Sequence, residues 1–151
     1  MTEAEPLGHA ERIDRTRARA WALQIHYRWE SASFDGTLRD ALVDTTATRR
    51  VSPRRLPYIR RLLSSMEENL SEIDAYLRAA LDNWRLERLG TMDRAVLRIG
   101  AVEIFYFDDV PPKVSIQEAI RLAEAYGGPD SPRFVNGVLD ALFKVHREQA
   151  K

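Results

Sequence analysis

The chain has 151 residues, no cysteine, and 23 basic against 23 acidic side chains, so its formal net charge is zero. That length is enough for one domain with a sizeable apolar core and no metal or disulfide staple, and the lack of cysteine excludes disulfides, thiolate metal sites and thiol nucleophiles. Neutrality removes any global field that would draw a polyanion, so a nucleic-acid footprint has to come from local clustering.

The first 20 residues are polar and charged with no signal-peptide core, and no apolar run approaches the roughly 18 residues of a membrane span. Both observations point to a cytoplasmic protein without membrane contact. Apolar residues recur at spacings of three and four, and no long alternating Val/Ile/Thr run occurs, so the fold class predicted is all-α. A first helix is expected over about residues 10–30, with Ala18, Trp21, Ala22, Ile25 and Trp29 as its core stripe. It is arginine-rich: Arg12, Arg15, Arg17, Arg19 and Arg28 face the single acid Asp14. A short helix over about 37–46 leads into a second basic group, where no acid occurs between Asp44 and Glu67 but Arg49, Arg50, Arg54, Arg55, Arg60 and Arg61 do. Pro53 and Pro57 make that connection a loop.

Ile59, Leu62, Leu63, Met66 and Leu70, then Ile73, Tyr76, Leu77, Ala80 and Leu81, fit either two antiparallel helices or one kinked helix. After a short segment around 84–89, Gly90 is a stop and Thr91 the expected N-cap of a helix over 92–107, with Asp93 in its first turn. Ala95, Val96, Leu97, Ile99, Val102, Ile104 and Phe105 make that helix apolar almost all round, as a central helix is. Pro111 and Pro112 end it, and Ser115 with Glu118 suggests a capping box for a helix running through Tyr126. Gly127 and Gly128 stop that helix. Ser131 is the expected N-cap of the last one, with Pro132 at its first helical position, and that helix extends to about residue 149.

Catalytic signatures are missing. His9, His26 and His146 lie far apart without metal-ligand spacing and read as surface or boundary residues. Glu67/Glu68 and Asp108/Asp109 read as solvated faces. Gly127–Gly128 is a helix stop and not a phosphate loop. The positive signal is the first helix, where Arg12, Arg15 and Arg19 are expected on one face and Leu23 and Tyr27 continue from Arg19 in steps of four. Such a ridge suits RNA phosphates and a base or protein anchor, while packing of Leu23 and Tyr27 under a neighbouring helix stays equally open.

Residues 15–29, Arg-Thr-Arg-Ala-Arg-Ala-Trp-Ala-Leu-Gln-Ile-His-Tyr-Arg-Trp, resemble the arginine-rich motif of the NusB family of antitermination factors. So do the blocks Asp93 to Glu103, Val110 to Ile120 and Phe134 to Asp140, in order and spacing. The resemblance spans nearly the whole chain and implies a compact single-domain bundle of about seven helices covering residues 1–151, with no cofactor and no enzyme activity. It further implies binding of boxA RNA in nascent ribosomal RNA transcripts together with the ribosomal protein NusE, within the transcription elongation complex.

By motif position, the resemblance assigns RNA binding to Arg15, Arg17, Arg19, Asp130 and Phe134, to which the neighbouring cation Arg133 is added on physical grounds, and the ribosomal-protein contact to Tyr27 and Asp93, with Leu23 on the same ridge. Free N–H groups at the start of the last helix suit phosphate there. Thr16 and Asp14 make the basic motif thinner than in strongly basic relatives. Some family members form homodimers that cover the arginine motif, and the resemblance leaves monomer and homodimer both open. A NusB-like accessory domain of an RNA-modifying methyltransferase is the alternative, against which stand the length and the missing cysteine nucleophile. A DNA-binding helix-turn-helix is a third reading, weakened by the proline-rich turn.

Overall fold

A computed structural model describes residues 6–150, and among them the chain forms seven α-helices and one 3-10 turn, with no strand. The helices are α1 (His9–Glu30), α2 (Leu38–Thr48), α3 (Leu56–Glu68), α4 (Leu70–Ala80), α5 (Thr91–Tyr106), α6 (Pro112–Tyr126) and α7 (Ser131–Gln149), with the turn at Leu86–Arg88. The all-α fold and its helix count agree with the sequence reading. Asn69 alone separates α3 from α4, so the ambiguous apolar run is two helices, with Leu70 opening the second.

Helix α5 is the hub. Its residues from Ala95 to Ile104 are all buried, because α1, α3, α4, α6 and α7 all pack around it. An apolar stripe covering the whole circumference is what a surrounded helix requires. Gly100 lets α7 approach closely: a Cβ there would lie 2.7 Å from a Leu139 methyl carbon, nearer than packed carbons come.

Local chemistry sets the helix ends. Thr37 and Asp40 form a reciprocal capping box on α2, satisfying two otherwise orphaned N–H groups. Three predicted starts shift, those of α5, α6 and α7. Gly90, not Thr91, is the N-cap of α5. Helix α6 begins at Pro112, where the fixed proline φ suits a first turn, so Ser115 lies inside the helix, buried and with no partner for its hydroxyl. At α7 the Ser131 hydroxyl accepts from the Gly128 N–H at 3.0 Å, and Asp130 is the N-cap without a side-chain cap bond. No described helix is long and apolar enough to cross a membrane.

Candidate nucleic-acid interface

The basic motif of α1 divides between core and solvent. Arg19 is 2% exposed; its Nε donates to Glu103 Oε2 at 2.7 Å and its Nη1 lies 3.5 Å from Glu118. The Tyr58 hydroxyl donates to the same Glu103 oxygen, and burial, then the Glu103 charge, push that hydroxyl's pKa up. Glu103 is itself 1% exposed. A buried carboxylate is tolerable only with such donors, which here come from α1 and α3. The expectation that Arg19 lies on an open face with Arg12 and Arg15 is therefore corrected: Arg19 is a buried structural cation.

Arg15 is half-buried, 3.0 Å from Asp109, with its guanidinium 4.7 Å above the Tyr58 ring. Arg61 from α3 binds the same Asp109 through two nitrogens, and these bonds, the Arg61 bond foremost, hold the Asp109 carboxyl well below its ordinary range. Asp109 is thus a clamp between α1, α3 and the α5–α6 connection rather than a merely solvated acid.

Arg17 is exposed. It borders a groove between α1 and α6 lined also by Arg12, Ile13, Arg121 and Tyr126. Glu118, the acid in that groove, is engaged by the Thr16 hydroxyl at 2.8 Å and by Arg19, which leaves Arg12, Arg17 and Arg121 as a cationic rim around an aromatic ring. Such a rim suits a strand with unpaired bases, phosphates on arginine and a base on tyrosine.

Further along α1, Tyr27 is 52% exposed, whereas Leu23 is fully buried. Leu23 is therefore corrected from the outward ridge to the core. A second buried network holds the same end of α1. Arg98 donates twice to Asp74, at 2.9 and 3.0 Å, and to His26 Nε2 at 3.0 Å, while Glu30 accepts from Arg94 at 3.0 Å. His26 is fully buried, against the surface or boundary placement expected, and burial, then the Arg98 and Arg94 charges, lower its pKa to about 3. It is a neutral acceptor. The Glu30 to Arg94 bond ties the end of α1, which carries Tyr27, to the start of α5, which carries Asp93.

Asp93 also joins Asp130 and Phe134 around one depression, completed by Trp84, Leu89 and Gly128 to Ser131. Trp84 is 62% exposed and meets Phe134 edge-on at 6.0 Å. Sequence reading passed over Trp84; the available signal was a large aromatic in a segment with no apolar period to bury it. Arg133 is exposed one residue before Phe134. Among the described residues no three His, Asp or Glu side chains converge as metal ligands.

Comparisons with known proteins agree on one family. Residues 16–144 match the NusB family. The transcription antitermination protein NusB of Yersinia enterocolitica is 40% identical over 135 residues, covering 89% of this chain and 96% of that protein. The NusB of Chloroherpeton thalassium is 36% identical over 138 residues, 87% of this chain, and this chain spans 62% of that longer relative. Among solved structures, T. maritima NusB superposes with a TM-score of 0.76 at 33% identity, over 86% of this chain and 90% of that one. A structure of antitermination factors NusB and NusE in complex with dsRNA shares the fold, with a TM-score of 0.76 at 24% identity over 88% of this chain and 98% of that one.

Proposed function

This chain belongs to the NusB family, and from that premise we propose that it is a transcription antitermination factor that binds boxA-type RNA of nascent ribosomal RNA transcripts together with ribosomal protein NusE. It works by binding, not by catalysis. One observation carries the RNA assignment: the family's arginine motif puts Arg17 on the solvent side of α1, beside Arg12, Arg121 and Tyr126, with no described carboxylate left to neutralise that rim once Glu118 is engaged. The RNA path continues over the α6–α7 turn to Arg133, Phe134 and Trp84. Arg15 stands at the edge of this path and reaches a phosphate only by sharing or leaving Asp109.

Tyr27 and Asp93 form the contact for the ribosomal protein. An exposed tyrosine held on a helix whose inner side is locked by Arg98 and Glu30 is a pre-ordered anchor, which lowers the entropy cost of association. The adjoining depression of Asp93, Asp130 and Phe134 brings the two ligands together, so each is expected to strengthen the other's binding.

Fluorescence anisotropy with boxA RNA, a scrambled RNA and duplex DNA, each with and without NusE, is the test. The expected order is boxA RNA with NusE tightest. Arg17→Ala weakens it and flattens the slope of log K against log salt by about 0.7, the loss of one single-strand phosphate contact. Equal binding to all three nucleic acids, or an Arg17→Ala variant with wild-type affinity and slope, would sink the assignment.

A further inference from the structure

The connection between α2 and α3 retraces α1 in the opposite direction. At one end the Arg49 guanidinium lies 5.6 Å over the Trp21 ring. At the other, the Nε atoms of Arg55 and Arg54 lie 3.4 and 3.9 Å from Asp14 Oδ1. Asp14 and Trp21 are seven residues apart, about 10 Å along a helix at 1.5 Å per residue. Arg17 falls between them, three residues after Asp14 and four before Trp21, so it shares their side of the helix. The loop therefore runs beside the residue that carries the RNA reading.

Its charge is one-sided. No acid occurs between Asp44 and Glu67, and Asp14, shared by Arg54 and Arg55, is the one described carboxylate within ion-pair reach of the loop's arginines. Arg54 keeps 72% of its side chain exposed, and Arg49 and Arg50 are exposed as well. In sequence the acid-free stretch is bounded by Asp44, held by Arg28 at 3.2 Å, and by Glu67. Repelling cations are costly to hold together without a counter-charge. Here two anchors, the Trp21 ring and Asp14, fix them in place, which is an arrangement for an anion and not for a slack solvated loop.

Resting on the RNA-binding reading above, we infer that Arg49, Arg50 and Arg54 form a second phosphate track, beside Trp21 as a stacking platform, that engages single-stranded RNA flanking the core element. Single-stranded RNA fits better than an acidic protein segment for two reasons. The strip is continuous with Arg17, and it sets an arginine plane against an indole, the pairing on which unpaired bases stack. The track adds affinity without sequence preference, since phosphates carry no sequence.

The test uses the full chain with NusE and two RNAs, the core element alone and the same element extended on either side. For wild type the extended RNA binds several-fold more tightly. The Arg49→Ala/Arg50→Ala/Arg54→Ala variant loses that gain, and its salt slope on extended RNA drops by about 2, three contacts at 0.7 each; on the core RNA it matches wild type. Arg50→Glu alone, at an exposed side chain with no hydrogen-bond or ion-pair partner among the described residues, gives a loss in the same direction without disturbing either anchor. No benefit from extension in wild type, or an unchanged slope in the triple variant, overturns the track, and if Arg17→Ala still weakens core binding the proposed function stands without it. Equal loss on both RNAs also overturns it, by making the loop part of the core site. Polyglutamate that competes as well as the flanking RNA would assign the strip to an acidic protein instead.

Discussion

Arg17 and Arg19 stand two residues apart in one motif, yet Arg17 is exposed while Arg19 is 2% exposed and held by Glu103 and Glu118. Two residues are about 200° of helix rotation, which turns one guanidinium into the core and leaves the other in water. The same residue type then does opposite work. Arg19, like Arg98 over Asp74 and His26, fixes how the helices meet, and a rigid scaffold of that kind is what lets a free arginine such as Arg17 wait in a defined place for a ligand. A basic motif is therefore not a count of ligand contacts; it has to be divided by the helix wheel first.

The hardest way to break that contrast is to remove the counter-ion of the inward arginine. Glu103→Ala strands the buried Arg19 cation and the Tyr58 hydroxyl, and losing one partner of a buried pair costs about 3–5 kcal/mol. Arg17→Ala, on the outward side, stays within about 0.5 kcal/mol of wild type. Urea denaturation followed by circular dichroism measures both, and similar losses from the two substitutions would erase the division.

Acid sharpens the same contrast through the second buried network. His26 has a folded-state pKa near 3, below its unfolded value of about 6.5. The unfolded chain therefore binds a proton that the folded chain refuses. Stability is full above about pH 6.5 and falls as pH drops toward 3, with a limiting slope of about 1.4 kcal/mol per pH unit from this residue. His26→Gln, which keeps an acceptor for Arg98, flattens the decline between pH 6.5 and 5. His9 and His146 remain in both proteins, so a slope unchanged by the substitution would deny His26 the role.

Most of the helices were legible because their periods are local. The 3.6-residue rhythm, the prolines at 112 and 132 and the glycine stops are written within a few residues of where they act. Arg19 and Leu23 were misplaced for a geometric reason. Steps of four advance about 40° around a helix, so a ridge from Arg15 through Arg19 and Leu23 to Tyr27 drifts about 120° from the core side to solvent. It is not one face. His26 and Asp109 were misjudged because their partners are remote: Arg98 is 72 residues from His26, and Arg15 is 94 residues from Asp109. No pattern within one helix reports such pairs. For Trp84 the local signal, an aromatic in a segment without an apolar period, is present but does not say what the assembled fold leaves exposed.

The smallest effect tests the outward side by a gain. Asp130 is exposed at the start of α7, beside the Trp84 and Phe134 depression, and is the N-cap without donating or accepting a side-chain cap bond. Asp130→Asn thus removes a negative charge near the RNA path while giving up no hydrogen bond. Two opposite consequences follow from that one charge. A carboxylate at a helix N-terminus contributes about 0.3–1 kcal/mol through the helix dipole, so the variant is slightly less stable. The same carboxylate repels phosphate within about one Debye length, roughly 8 Å at physiological salt, so the variant binds boxA RNA more tightly, with an advantage that shrinks as salt is raised. A generic surface acid far from the RNA would show the stability loss alone. Anisotropy titrations of wild type and variant in complex with NusE, at low and high salt, separate the two: weaker or equal binding at low salt would place the RNA away from the α6–α7 turn and confine it to the α1 face around Arg17.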